Sequence, residues 1–284
     1  MNAKRILAAA LSLTLALGLT ACSGGTSAGE TPEEVLAKAQ QAMEEVKSMG
    51  YDMDMTMTME ADGLDEALEI LTTYQVDTTM DPLAVKANME IDMGELGGST
   101  QMQIYLVEQD GSYQIATGTV GEDGQTTWQT GVTDSLTGME QLDGKAAMDV
   151  YLSSAKSFTQ GTTETVNGTE ATRYDGVIAG ADLEEVLETS GTLEQLDGLG
   201  LGDMSSMLTD LADLPISIWI AKDTYYPVQY EMDMAAMMQT MLEKSMGSDV
   251  ADLGMTISQL TTKMTLRDFN NIPEIQIPSE AMAG

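Results

Sequence analysis

Residues 51–60, YDMDMTMTME, alternate with a period of two, so that Met53, Met55, Met57 and Met59 share one face of an extended chain while Asp52, Asp54, Thr56, Thr58 and Glu60 take the other. The alternation returns in Leu83, Val85, Ala87, Met89, Ile91 and Met93, set against Lys86, Asn88, Glu90 and Asp92. Met102, Ile104 and Leu106 continue it, as do Ile216, Ile218 and Ile220, then Tyr226, Val228, Tyr230, Met232 and Met234, and finally Met264 and Leu266. One apolar and one polar face per strand is the mark of an antiparallel sheet that is wet on one side. About eleven strand candidates can be counted, several separated by short turn signals such as Gln109-Asp110-Gly111 and Asn167-Gly168, and that number predicts one large curved sheet.

Just before the first alternating strand the period is helical. Thr31-Pro32-Glu33-Glu34 supplies an N-cap, a proline at the first helical position and a glutamate three residues into the helix, which is a capping box. Val35, Leu36, Ala39, Ala42, Met43 and Val46 then recur along one side, and Gly50 is placed to end the helix in a left-handed cap. Further helical stretches are predicted at residues 139–156, 183–189, 204–211 and 235–246. Helices grouped on one face of an antiparallel sheet make an α+β domain. The mixed, glycine-containing segment 180–213 reads as an insertion at the mouth of the sheet and is the candidate lid.

The N-terminus has a different character. Lys4 and Arg5 precede an apolar run over residues 6–19, too short to span a bilayer and typical of a signal peptide. Leu19-Thr20-Ala21-Cys22-Ser23 follows and closely resembles the lipobox of bacterial lipoproteins, with cleavage after Ala21 and lipid on Cys22. Residues 23–30, SGGTSAGE, form a flexible tether with a mean reach of about 15–20 Å. The predicted organisation is therefore a signal peptide at 1–21, a lipidated tether at 22–30 and one domain over 31–284. Stable anchoring needs several acyl chains, since one alone binds a membrane marginally.

Composition then narrows the chemistry. The chain has no histidine, and its single cysteine is the lipidation site. Ser-His-Asp and Cys-His catalysis, His/Cys zinc sites and an internal disulfide are excluded together. Formal net charge is −34, and removal of residues 1–21 takes Lys4 and Arg5 with it, leaving −36. Such a body repels nucleic acid and anionic lipid surfaces alike, so the lipid rather than the protein surface holds it at the membrane. Nothing in the sequence asks for a cofactor or a resident metal.

The order of elements resembles the LolA/LolB-like lipoprotein-carrier superfamily and its lipidated relatives in mycobacteria and Firmicutes. The resemblance runs over roughly residues 31–280. It is carried by the opening helix and first alternating strand (EEVLAKAQQAMEEVKSMGYDMDMTMTME), the hairpin VNGTEATRYDGVI at 166–178, the strand turn IWIAKDTYYPVQYEM at 218–232, and the closing DFNNIPEIQIPSEA at 268–281. It implies an incomplete β-barrel whose concave side is covered by helices, enclosing an apolar cavity for acyl chains. The lipobox agrees with the anchored members rather than with the soluble carrier. The methionine content departs from the family.

There are 24 methionines against two phenylalanines. Methionine adapts to irregular apolar shapes, so its faces suit either an ordinary core or a deformable pocket. On the second reading the cavity is lined by Met53, Met55, Met57, Met59, Met89, Ile91, Met93, Met102, Ile104, Ile218, Met232 and Met264, and the ligand is a lipid or another apolar small molecule. Apolar burial at about 0.8 kcal/mol per methylene makes a dozen carbons sufficient. The alternative is a non-catalytic envelope sensor or scaffold that uses the same fold against a protein partner. Cu(I) is a third reading, because thioethers are soft ligands and Met-x-Met puts sulfurs on one face, although a core face demands the same spacing.

Other motifs carry less. Gly198-Leu199-Gly200-Leu201-Gly202 follows no strand and has no cationic neighbour, so it reads as a loop and not a phosphate cradle. Asn167-Gly168-Thr169 matches a glycosylation sequon but is first a hairpin turn. Glu184 and Glu185 are one acidic pair among 46 acidic residues, and proximity in such a chain is expected by chance. Asp62, Asp65 and Glu66 lack the glycine and spacing of an EF-hand loop.

Overall fold

Eleven strands pair antiparallel throughout in one open sheet. The computed structural model of the protein describes residues 30–62, 66–94, 97–121, 123–134, 154–181, 183, 211–246, 250 and 253–283. The strands are β1 (Ser48–Glu60), β2 (Leu68–Met80), β3 (Leu83–Asp92), β4 (Ser99–Gln109), β5 (Ser112–Val120), β6 (Thr126–Thr133), β7 (Lys156–Val166), β8 (Thr169–Ile178), β9 (Leu214–Ala221), β10 (Pro227–Asp233) and β11 (Thr256–Arg267). Two helices, α1 (Pro32–Glu44) and α2 (Ala235–Met246), are described beside them. Residues Thr31–Gly284 form one packed unit.

The sheet order is β6-β5-β4-β3-β2-β1-β11-β10-β9-β8-β7. The chain therefore lays down β1 to β6 as a meander out to one edge, starts again at the opposite edge with β7, and returns inward until β11 pairs with β1. Its first and last strands meet in the middle, and the edges β6 and β7 stay apart, so the barrel is incomplete. The two-residue turns expected from the sequence are present. Asp110-Gly111 and Asn167-Gly168 all have positive φ, the conformation that lets a tight hairpin match the twist of its strands.

The capping box of α1 forms as read. The Glu34 backbone N–H donates to Thr31 Oγ1 at 3.3 Å, and the Thr31 N–H donates to Glu34 Oε2 at 3.0 Å. Val35, Leu36, Ala39 and Met43 are buried on the sheet. The helix ends at Glu44, earlier than the glycine suggested, and Gly50 lies inside β1. It serves a different need there: the Arg267 guanidinium lies so close over it that a Cβ would collide.

Direct cross-strand partners share a face, and the pairing fixes one continuous apolar side. Met49 and Tyr51 of β1, Val76, Val85, Leu106, Ile216, Ile218, Ile220, Tyr230 and Leu266 join α1 in the main core. Met237 and Met241 of α2 pack on the same core, so both helices cover one side of the sheet.

Three expectations are corrected. The expected helix 139–156 cannot reach Lys156, which opens β7; residues 139–153 lie outside the described residues, as do almost all of 183–189 and 204–211. Most of the candidate lid 180–213 lies outside them too, although its ends meet, with the Gly180 N–H donating to Asp213 Oδ1 at 2.9 Å. The alternation Tyr226, Val228, Tyr230 is broken by a register shift between Pro227 and Gln229, which sends Val228 to the opposite face beside Trp219 and Ala171. Finally, the second face is not polar throughout. Ala84, Tyr105, Ala116 and Trp128 form a second cluster there, closed by Ile272, Ile275 and Ile277 of the C-terminal segment.

That segment is pinned where β1 begins: the Asn270 N–H donates to Ser48 O and the Lys47 N–H to Asn270 Oδ1, both at 2.7 Å. Arg267 ties it further, donating from Nη1 to Asp77 at 2.9 Å and to Asp268 at 3.0 Å, and from Nε to Asp52 at 3.3 Å. Burial alone would lower the Arg267 pKa. Hydrogen bonds to Asp268 and Asp77 and the charges of Asp52 and Asp77 outweigh it and hold the guanidinium firmly charged.

Candidate functional site

Strand register assembles the methionines from five strands into rows. Met102, Met89, Tyr74, Met53, Met264, Tyr230, Ile218 and Tyr174 face one another in succession from β4 to β8. A second row runs Ile91, Thr72, Met55, Thr262, Met232 and Ile216. Met57 stands between Ile70 and Leu260, and Met59 between Leu68 and Ile257.

Burial changes abruptly along the first row, while in the second the half-buried Ile91 and Met55 alternate with the buried Thr72 and Thr262. Tyr230, Ile218 and Tyr174 are 1%, 0% and 4% exposed. On β1, β3 and β4 the face is half-buried at Met53, Met55, Met57, Met59, Met89, Ile91 and Met102, and Met264 of β11 matches them; Ile104 is half-buried too, at the end of the otherwise buried row of Ala87, Val76, Tyr51 and Leu266. The apolar face is thus closed on β8–β10 and, on β1–β4, at Met49, Tyr51, Val76, Val85, Ala87 and Leu106, whereas the part of β1–β4 that carries these methionines forms a partly uncovered wing. Ile218 and Met232, expected as lining, belong to the closed wing and are core. Met93 lies past the end of β3 in the turn before β4, 37% exposed, because the chain leaves the pleat at Asp92 and its alternation no longer sets a face.

α2 lies over β11 beside this wing. It is held at its N-terminal end and by one glutamine: Asp233 Oδ1 accepts from the Ala235 N–H at 3.1 Å, the Met234 N–H donates to Leu260 O at 2.8 Å, and Gln239 Oε1 accepts from the Ile257 N–H at 2.8 Å. From Met237 to Leu242 its residues are only half-buried, whereas α1 sinks four side chains into the core.

Sequence reading passed over Thr72 and Thr262, 4% and 5% exposed, which flank Met55 from both sides. The Thr262 hydroxyl is buried with no hydrogen-bond partner among the described residues. The signal was available, since Leu260, Thr262, Met264 and Leu266 keep one phase. Tyr74, in the first row, was passed over as well, and burial raises its hydroxyl above the ordinary tyrosine value.

Two hollows lie on the opposite face. One of about 310 Å³ is lined by Thr73, Gln75, Asn88, Glu90, Gln101 and Gln103 with Met89 and Met102 beneath. The other, about 280 Å³, lies between Asp77, Lys86 and Tyr105 and the C-terminal residues 272–276. The first is predominantly polar; the second is mixed, with Ile272, Pro273 and Ile275 in its wall. Among the described residues no group of three or more His, Cys, Asp or Glu side chains is arranged to hold a metal. Among them, too, no helix is long and apolar enough to cross a membrane.

Residues 31–167 and 183–284 match the Family of unknown function (DUF6612). The chain belongs to that family. No curated protein matches it. Among solved structures, the DUF6612 chain is similar to the Mycobacterium tuberculosis lipoprotein LppX, at 16% identity and a TM-score of 0.45, covering 87% of this chain and 100% of the other. LprF from Mycobacterium bovis is 12% identical with a TM-score of 0.46, covering 87% and 95%. A DUF1329 family protein from Desulfovibrio piger is 8% identical with a TM-score of 0.24, covering 86% and 93%.

Proposed function

We propose that this DUF6612 protein is a non-enzymatic binding protein that shields an apolar ligand, a lipid or acyl chain, against the methionine wing of its open sheet. Cys22 carries the lipid that holds it at the outer face of the bacterial cell membrane, in keeping with a LolA/LolB-like carrier that works while anchored. The observation that carries the reading is the burial step along the first cross-strand row, from fully buried isoleucine and tyrosine to half-buried methionine. An apolar face left partly uncovered in a protein this acidic is a place for an apolar partner. Methionine fits an occupant of variable shape, because its unbranched thioether follows irregular surfaces at little strain.

Native mass spectrometry of the full chain purified without detergent tests this. Retained lipid-sized mass, released by organic extraction, is the expected result; a bare chain that also fails to take up an apolar dye contradicts it. The sensor or scaffold reading draws on the two hollows of the opposite face, one polar and one mixed, which suit a protein contact better than an acyl chain. It predicts a bare chain whose polar-face substitutions Gln103→Ala and Asn88→Ala abolish capture of an envelope protein.

A further inference from the structure

Among the described residues, the strands of the methionine wing present no cation to an anionic head group. Each strand-borne cation stands in the opposite phase: Lys263 beside Asp54, Arg267 beside Gly50, Lys86 beside Asp77, Lys156 beside Val177 and Arg173 beside Trp219. Of the others described near the helices and turns, Lys38 lies over the Tyr225 ring at 4.7 Å, Lys222 pairs with Glu170, and Lys47 is exposed before β1, where its backbone is tied to Asn270 of the C-terminal segment. Lys244 is exposed near the end of α2. Most strand carboxylates avoid the wing as well: Asp52, Asp54, Glu60, Glu69, Asp77, Glu90 and Asp92 all point away from it, and Glu108, which keeps the methionine phase at the far end of β4, accepts the Leu83 N–H at 3.1 Å. A phosphate or carboxylate brought there would lose its hydration without gaining a partner, inside a body of net charge −34.

What the wing does offer is a hydroxyl. Thr262 Oγ1 is buried without a partner where the open wing meets the closed one, between Met55 and Met232. Buried polar groups are nearly always hydrogen-bonded, and one that is not calls for an occupant or a reason. Valine has the same shape without the hydroxyl, so an apolar core alone would be better served by it.

We infer that the wing takes an uncharged amphiphile, an acyl chain bearing an ester or alcohol oxygen, whose oxygen meets the Thr262 hydroxyl while its chain lies along Met53, Met55, Met57 and Met59. The inference rests on the apolar-ligand reading and names its class of ligand. The hydroxyl both donates and accepts, so an ester carbonyl and an alcohol are each accommodated.

The test uses the full chain, delipidated, with displacement of an apolar fluorescent dye by three probes of equal chain length: monododecanoylglycerol, dodecanoate at pH 8, and dodecane. The native chain binds the glycerol ester about tenfold more tightly than dodecanoate. Thr262→Val weakens the ester about fivefold, leaves dodecane unchanged and does not lower the melting temperature of the empty protein, while Thr262→Ser restores ester binding. Dodecanoate binding as tightly as the ester overturns the inference, as does a Thr262→Val chain whose ester-to-dodecane ratio equals the native one. If the native chain binds neither the dye nor any probe, the apolar-ligand reading itself fails, and this one with it.

Discussion

The two wings of the sheet share one cross-strand row, yet they solve different problems. On β8–β10 the row residues are Tyr174, Ile218 and Tyr230, none more than 4% exposed. On β1–β4 the same row holds Met53, Tyr74, Met89 and Met102, all half-buried. β-Branched and aromatic side chains are stiff and fill a fixed space, which suits a wing closed by α1 and by the core above it. Methionine is the flexible choice, and it is concentrated where the cover is incomplete. The difference teaches that residue type along a strand can separate a packed face from an accommodating one even where the polar–apolar alternation is identical.

Substitutions separate the wings, beginning with the largest effect. Ile218→Ala empties a fully buried site and is expected to lower stability by about 3–4 kcal/mol in denaturant titration, with apolar-dye binding unchanged in the folded fraction. A loss below 1 kcal/mol would mean the closed wing is not closed. Met55→Asp and Met89→Asp place an unpaired carboxylate on the open wing; each is expected to destabilise by about 1–3 kcal/mol and to abolish dye binding. Unchanged melting and unchanged dye binding in both would contradict the strand phase. Met57→Ala sharpens the contrast from the other side. Its side chain is half-buried, so less than about 1 kcal/mol is lost on unfolding, while dye affinity falls severalfold.

The smallest effect is a pH dependence. Burial raises the Tyr74 pKa in the folded chain, so its neutral form is favoured there. The stability this group contributes is fully present below the ordinary value of 10.0 and is lost as pH rises through the raised one. Alkaline unfolding monitored by tyrosinate absorbance should start above pH 10.0, and an apolar ligand lying on the open wing should move that onset higher. Tyr74→Phe should remove the ligand-dependent part of the shift. An onset that ignores the ligand would place Tyr74 outside the site.

Much of this architecture was legible in the sequence because period-two alternation reports strand faces directly. The count of about eleven strands, their antiparallel pairing in one sheet and α1 with its capping box follow from local spacing, and residues 235–246 form the expected helix. What alternation cannot report is where it breaks. The bulge at Pro227–Gln229 reverses Val228, and the turn after Asp92 removes Met93 from the face, because a single extra or departing residue resets the phase. The apolar patch on the outer face was hidden for a different reason. Tyr105, Ala116 and Trp128 are spread over three strands, and only the long return of the C-terminal segment brings Ile272, Ile275 and Ile277 onto them. The division into wings was invisible too, since Ile218 and Met53 have the same phase and differ only in what covers them.

The most direct test is the ε-methyl spectrum of the chain labelled at methionine, recorded while monododecanoylglycerol is added. Binding on the open wing predicts that Met53, Met55, Met57, Met59, Met89 and Met102 shift together, while the buried Met43 and Met49 stay in place. Resonances that do not move, or changes confined to the residues around the two hollows of the opposite face, would contradict the account.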